Sequence, residues 1–409
     1  MKAIELIAAE EKVLSSRFSS IDETSLFNQR KVLDAFREEM IALRHFAPST
    51  GYGYGDEGRD ALGRVFARAF GAERAIASPV LLSGTHALTV ALFGLLVPDD
   101  HVLCITGTPY DTLRGVVWGE GNGSLKDYKI SFETVALTQE GKVDEEAVRA
   151  VLSQKTYQMV YIQRSRGYEL RDAFTVEEIG NMCSLVRAAG FEGVIFVDNC
   201  YGEFVETREP TEVGADVIVG SLIKNPGGGL APTGGYIAGK EGCITRIENR
   251  LTAPSVGGEV GSYAYGYQYY YQGLFLAPHT VAQALKGGLL IGACLDALGY
   301  ENFPSADKMP ADITRAVRFN TEEELTGFIQ SVQECSPVDS FVHLEAWDMP
   351  GYDCKVIMAA GSFVQGASIE LSADAPIRKP YTAYFQGGLT YEHCRIACEY
   401  ILKRLLREE

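Results

Sequence analysis

Residues 216–235 read DVIVGSLIKNPGGGLAPTGG, and the fold is decided by how this stretch is read. Val217 to Val219 form a short apolar run bounded by Gly214 and Gly220, the pattern of a buried strand. Ser221 and Lys224 follow at once. Then comes a loop too rich in glycine and proline for helix or strand: Pro226, Gly227, Gly228, Gly229, Pro232, Gly234 and Gly235. A lysine leaving a buried strand into such a loop is anchored while space stays open around its amine. A partly desolvated amine loses its proton more readily, and such an amine can form a Schiff base with a carbonyl cofactor such as pyridoxal phosphate (PLP). The plain alternative is a surface lysine in a connecting loop.

Upstream, 193–198 (GVIFVD) reads as a buried strand ending in Asp198, followed by Asn199-Cys200-Tyr201-Gly202. A carboxylate at the tip of an apolar strand is costly unless it has a positive partner. Residues 158–163 (QMVYIQ) read as another strand, which runs into Arg164-Ser165-Arg166-Gly167-Tyr168. Two arginines there, in an acidic chain, suggest an anion or carboxylate clamp, with surface salt bridges as the alternative. A third strand, VLCIT at 102–106, ends in Gly107-Thr108-Pro109-Tyr110. An aromatic just past a strand end can stack on a flat ring or sit on a rim.

In 75–97 an apolar run precedes Ser83-Gly84-Thr85-His86 and an apolar helix. A small-residue turn at a helix start gathers free N–H groups and the positive end of the dipole, which suits phosphate. An ordinary Ser N-cap reads the same way, and His86 is expected simply on the first turn. Helices are expected at 59–70, 143–152 and 175–190. Strands and helices alternating in this way predict an α/β fold with an open, mostly parallel sheet and ligands at the strand ends. Tyr110, Arg166, Asp198, Ser221 and Lys224 all lie at or just beyond such ends.

Residues 1–46 carry apolar residues at helical spacing and read as helical throughout, an arm on another part of the protein or on a second subunit, or a helical hairpin of the core. The glycines of 48–58 (PSTGYGYGDEG) exclude regular structure, so Tyr52 and Tyr54 suit binding or packing on a neighbour. The Gly- and Tyr-rich 256–278 reads as interface or core packing. A long helix is expected at 279–299, and the domain change is placed there: an arm at 1–46, a large domain at 47–280 and a small domain at 281–409. The tail carries a second α/β pattern, with helices at 322–333 and 391–406 and strands near 338–345, 355–359 and 367–371. Arg378, in SADAPIRKPY, suits a substrate carboxylate or the plain surface.

At 409 residues two domains are the starting expectation. The formal charge of −17 argues against nucleic acid or an anionic membrane as partner, though not against a local cationic pocket. Nine scattered cysteines make no CxxC pair. Cys394 and Cys398 would share a helix face, but no second pair completes a zinc site, so no metal is expected. The odd cysteine count suggests reduced thiols in a cytoplasmic protein. Glu5, Glu10 and Glu11 interrupt the N-terminal apolar pattern, which excludes a secretory segment there, and no apolar run reaches membrane-spanning length.

In this order, the strings GYGYGDEGRD, SGTHALTVALFG, IQRSRGY, FVDNCYGEFVE, GSLIKNPGGGLAPTGGYIAG, QGLFLAPH and ASIELSADAPIR resemble PLP-dependent enzymes of the aspartate aminotransferase fold, fold type I. Within these the chain is similar to the methionine gamma-lyase or aluminium-resistance family, relatives of the cystathionine beta- and gamma-lyases, from about residue 45 to the C-terminus. The resemblance implies that Lys224 carries the cofactor and Asp198 holds its pyridinium N–H. It implies that Ser83, Gly84, Thr85 and Ser221 cradle the phosphate and that Tyr110 stacks on the ring. Tyr52 and Tyr54 match a segment that in the cystathionine lyases crosses from a neighbouring subunit, which implies a dimeric catalytic unit, commonly within a tetramer. The relatives' tyrosine-x-arginine pair is altered here to Tyr52-Gly53-Tyr54, and Arg166 stands where they carry an asparagine. Arg378 is the candidate for the α-carboxylate. The implied reaction is elimination at a sulfur amino acid, giving ammonia, a 2-keto acid and a thiol. The alternatives are an aminotransferase or other PLP lyase on this fold, or a PLP-binding protein with a role in aluminium tolerance.

Overall fold

The computed structural model describes residues 2–348 and 354–408. Its larger sheet has seven strands: β1 (Arg74–Ser78), β2 (His101–Cys104), β3 (Ser131–Thr134), β4 (Met159–Gln163), β5 (Val194–Asp198), β6 (Val217–Ser221) and β7 (Gly235–Gly239). They lie in the order β1-β7-β6-β5-β4-β2-β3. β3, β2, β4, β5 and β6 pair in parallel, and β7 is antiparallel to both β6 and β1. Parallel strands must be joined by crossovers, so all five present their C-terminal ends along one edge.

The helices come in chain order: α1 (Ala3–Glu38), α2 (Glu57–Ala69), α3 (Gly84–Leu95), α4 (Asp111–Trp118), α5 (Glu145–Gln154), α6 (Val176–Ala188), α7 (Glu241–Leu251), α8 (Gln268–Ala297), α9 (Glu322–Glu334) and α10 (Tyr391–Leu406). The central strands are buried on both faces. Val197 and Ile218 pack into the core that includes α1, α2, α6 and α8. Phe196, Val217 and Val219 face the core under α3 and α7. Alternation therefore puts Asp198 and Ser221 on the same face as α3.

α1 buries Ile7, Leu14, Ile21, Asn28 and Ala35, and this seven-residue spacing keeps one seam inward over the whole helix. The seam lies on α8, with α2 and α10 beside it, so the arm packs at least in part on its own chain. The expectation of helix throughout 1–46 is corrected at Met40. Its φ of 50° is left-handed and ends α1, and only a 3₁₀ turn, Leu43–Phe46, follows.

α8 begins at Gln268, not near 279. Pro278 lies inside the helix, which runs through it. There α8 lies against α1: Ser25 Oγ donates to the Pro278 carbonyl at 3.1 Å and Gln29 Nε2 to the Phe275 carbonyl at 3.0 Å. α8 is long and apolar enough to cross a membrane by length and composition, but it is mostly buried, packed by α1 and α10.

After α8 comes a six-stranded antiparallel sheet, β8 (Glu301–Phe303), β9 (Thr314–Arg318), β10 (Trp347–Asp348), β11 (Lys355–Ala359), β12 (Ser372–Pro376) and β13 (Thr382–Gln386), in the order β10-β11-β12-β13-β9-β8. The strand at 355–359 is present. The strands expected near 338–345 and 367–371 are not, since those residues form irregular chain and turns. The strand actually used, SADAP, is made of small and polar residues. Its β signal comes from its neighbours β11 and β13, not from its own side chains.

Candidate active site

The strand-end edge of the larger sheet gathers the residues singled out by the sequence. β5 ends on Asp198, opposite Gln163 of β4 and Val219 of β6. The Asp198 carboxylate accepts from the Cys200 N–H at 3.2 Å and from Tyr161 Oη at 3.4 Å. Burial raises its pKa above the usual carboxylate value, while the Lys224 charge pulls it back down. A buried acid of this kind is stabilised by a cation.

Lys224 caps a 3₁₀ turn, Asn225–Gly227, three residues beyond the end of β6. Its Nζ lies 3.7 Å from the centroid of the Tyr201 ring. Burial works against its charge, but Cys200, Tyr201, Tyr110 and Asp198 around it outweigh burial and hold the amine well above the ordinary lysine range. The loop is held tightly. The Asn225 side chain donates to the Tyr201 and Glu203 carbonyls, both at 2.9 Å, and a Cβ on Gly227 would fall 1.7 Å from the Leu222 carbonyl oxygen.

Ser83 caps α3, accepting from the His86 N–H at 3.1 Å, and His86 Nδ1 accepts from the Leu82 N–H, so His86 stays on the first turn as expected. Gly84 packs against the strand ends: a Cβ there would lie 3.2 Å from Ser221 Cβ and 3.5 Å from Cys200 Sγ. Ser221 is buried. Thr85 Oγ1 is 3.1 Å from Thr112 Oγ1, which joins the start of α3 to the start of α4. Tyr110 caps α4. Its N–H donates to Gln163 Oε1 at 2.7 Å, and its ring borders Gly167.

The expected arginine clamp divides into two different roles. Arg164 is fully buried and braces the loop after Asp198, donating to Asn199 Oδ1 and to the Gly202 and Phe174 carbonyls. Arg166 is 1% exposed and donates to the Phe303 carbonyl of β8, while its Nε and Nη2 have no partner among the described residues. It therefore joins the strand-end loop to the second sheet and is not displayed on a rim. Arg378 is exposed in the turn between β12 and β13. Its charge and that of Arg166 both act on Tyr384, whose hydroxyl donates to the Tyr168 carbonyl at 2.6 Å. Tyr52 and Tyr54 stand apart from this group. They are 71% and 69% exposed, stacked on one another at 5.4 Å, and make no hydrogen bond or ring contact to it.

Sequence reasoning missed Gln163, Cys200, Tyr201 and Glu203. Gln163 shared the signal of Asp198, a polar residue closing an apolar strand. Glu203 had no signal of its own. Its carboxyl is fully buried, accepts from Tyr236 Oη at 2.9 Å, and is pushed up to about 8 chiefly by burial.

Residues 3–406 match the family model described as methionine gamma-lyase. The chain belongs to the methionine gamma-lyase family. Its relatives include YnbB of Bacillus subtilis, an uncharacterized protein 50% identical over 380 residues, which make up 92% of this chain and 90% of that one. Two solved members superpose closely on it. One is described as a carbon-sulfur lyase involved in aluminium resistance from Clostridium novyi, with TM-score 0.95 and 46% identity, covering 98% of this chain and 96% of its own. The other is described as a candidate cystathionine beta-lyase involved in aluminium resistance from Listeria innocua, with TM-score 0.96 and 48% identity, covering 98% and 99%. The fold is the type I PLP-dependent fold. It extends to the PLP-dependent protein YhfS of Escherichia coli, at TM-score 0.65 and 17% identity over 95% of this chain and 97% of that one. The methionine gamma-lyase family implies PLP, and the residues here fit it: a buried acid that favours a cation, a buried amine within electrostatic range of it, and a helix start seated on the adjacent strand end.

Proposed function

We propose that this protein is a PLP-dependent carbon-sulfur lyase that cleaves a sulfur amino acid to ammonia, a 2-keto acid and a thiol. The observation that carries this reading is the buried strand-end edge itself, where the Lys224 amine lies over the Tyr201 ring within electrostatic range of the buried Asp198 carboxylate and the start of α3 packs against Ser221. When bound, the cofactor supplies an electron sink for the pair left on the substrate's α-carbon. Lys224 would be its covalent anchor and the group that moves protons between substrate carbons. Asp198 would hold the pyridinium N–H and so keep the ring cationic. The backbone N–H groups at Gly84 and Thr85, with the Ser221 hydroxyl, receive the phosphate. Tyr110 would stack on the ring and would be the acid that protonates the departing sulfur. Arg378 and Arg166 are the candidates for the substrate carboxylate.

The test is a screen of cystathionine, methionine, cysteine and homocysteine, with thiol and keto acid detected together. Pyruvate marks beta-cleavage and 2-oxobutyrate gamma-cleavage, and gamma-cleavage is the outcome expected from the family. Amino-group transfer to an added keto acid, with no thiol from any substrate, overturns the lyase reading. Reducible cofactor attachment that survives in Lys224→Ala overturns the assignment of the anchor.

A further inference from the structure

Tyr201 combines three features that its sequence position does not announce. Its backbone is left-handed, with φ 73°, a conformation that costs a non-glycine residue free energy and persists only where the surroundings impose it. The surroundings do impose it. Asn225, the residue after Lys224, donates from its side chain to the Tyr201 carbonyl at 2.9 Å, and the Ile313 N–H reaches the same carbonyl at 3.3 Å. At the far end of the side chain, Tyr201 Oη donates to Ser368 Oγ at 3.3 Å. The ring is thus held at both ends, and its centroid lies 3.7 Å from Lys224 Nζ.

We propose that Tyr201 is a positioning residue for Lys224, its ring face holding the charged form of the amine at one point beside the strand ends. The proposal rests on the reading of Lys224 as the amine that anchors the cofactor and moves protons. A lysine with that task must be held near the reacting atoms while charged and must still give up its proton. A second carboxylate would hold it too well. A ring face attracts an ammonium through its quadrupole, far more weakly than a full charge, and places it without fixing the proton. The other groups facing the amine are Asp198, Cys200 and Tyr110, with Glu203 close enough to feel its charge. The Tyr201 ring face lies over the nitrogen, 3.7 Å from centroid to Nζ.

The experiment is competitive labelling of Lys224 with acetic anhydride across pH in the cofactor-free full-length protein, read by peptide mass spectrometry. In Tyr201→Leu the pH of half-maximal labelling falls. At a fixed pH below the midpoint the relative rate at Lys224 rises on the order of 3- to 30-fold. Tyr201→Phe keeps the wild-type midpoint, because it retains the ring, and so does Ser368→Ala, which removes only the hydroxyl's partner. Thermal unfolding checks that each variant is folded, and Tyr201→Met replaces Tyr201→Leu if the latter is not. A midpoint unchanged in the folded non-aromatic variant overturns the proposal, as does Tyr201→Phe behaving like Tyr201→Leu. Neither readout depends on lyase turnover. Borohydride-reducible cofactor attachment, measured separately, decides the role of Lys224 itself.

Discussion

Two buried acids, Asp198 at the end of β5 and Glu203 in the turn after it, meet different demands. Asp198 feels the charge of the Lys224 amine, and its carboxylate is the charge that a pyridinium nitrogen requires. In Asp198→Asn the amide cannot hold a protonated ring nitrogen. An electrostatic partner in a shielded site is worth several kcal/mol, so turnover falls on the order of 10²-fold or more while some cofactor is retained. Steady-state kinetics on cofactor-saturated protein checks this, and near-normal turnover would make the carboxylate structural. Glu203, by contrast, has a hydroxyl for a partner and no cation in contact. It keeps its proton in the folded protein up to about pH 8, against 4.5 as its ordinary value. Its folded pKa is raised, so its contribution to stability is complete below the unfolded value and is lost as pH rises toward 8. Between pH 5 and 8 the wild type therefore loses about 4 kcal/mol relative to Glu203→Gln, which cannot ionise. Urea unfolding at several pH values measures the difference, and parallel stability curves would sink the idea.

At the scale of elements, the lysine loop depends on a helix far along the chain. Gly227 and Gly273 stand back to back, and a Cβ on Gly273 would lie 2.3 Å from the Gly227 carbonyl oxygen. Gly228, with φ 54°, meets the Gly273 carbonyl in the same way. α8 can approach the Lys224 loop this closely only through glycine. Gly273→Ala is therefore expected to cost about 1–3 kcal/mol by overpacking and to loosen cofactor retention. Calorimetry and a cofactor-release assay test both effects, and a variant with wild-type stability and retention would show that the contact is slack. The string QGLFLAPH was legible in sequence as a family feature. Its place in a helix, pressed against the lysine loop, was not, because proline ordinarily ends a helix and the packing of α8 on α1 and on the lysine loop joins distant segments.

For the whole molecule, the loop 48–56 presents two aromatics outward on a stiff support. A Cβ on Gly53 would lie 2.9 Å from the Gly261 carbonyl oxygen, and the Gly261 N–H donates to the Tyr52 carbonyl at 2.9 Å. Exposed aromatics on a rigid loop suit a second copy of the chain. If Tyr54 serves the partner's site, inactive Lys224→Ala and inactive Tyr54→Phe subunits exchanged at equal concentration regain about a quarter of wild-type activity. Half of randomly paired dimers are mixed, and each mixed dimer has one intact site of two. No recovery after demonstrated exchange would place Tyr54 outside a shared site.

What the sequence determined by itself was periodic or local. Apolar runs of strand length closed by Asp198 and Ser221, with Tyr110 in the turn after a third, specified the parallel sheet and the edge where the candidate site lies, because side-chain alternation and strand ends are written residue by residue. Only the tertiary structure decided what depends on two distant segments meeting. It turned Arg164 into a brace and buried Arg166 against β8, where sequence had shown only two charges on a loop. It made a strand of SADAP, whose residues lack β character, by placing it between two strands that need a neighbour. It also laid the Tyr201 ring over the Lys224 amine, 23 residues away in the chain, through a backbone conformation that no residue preference foretells.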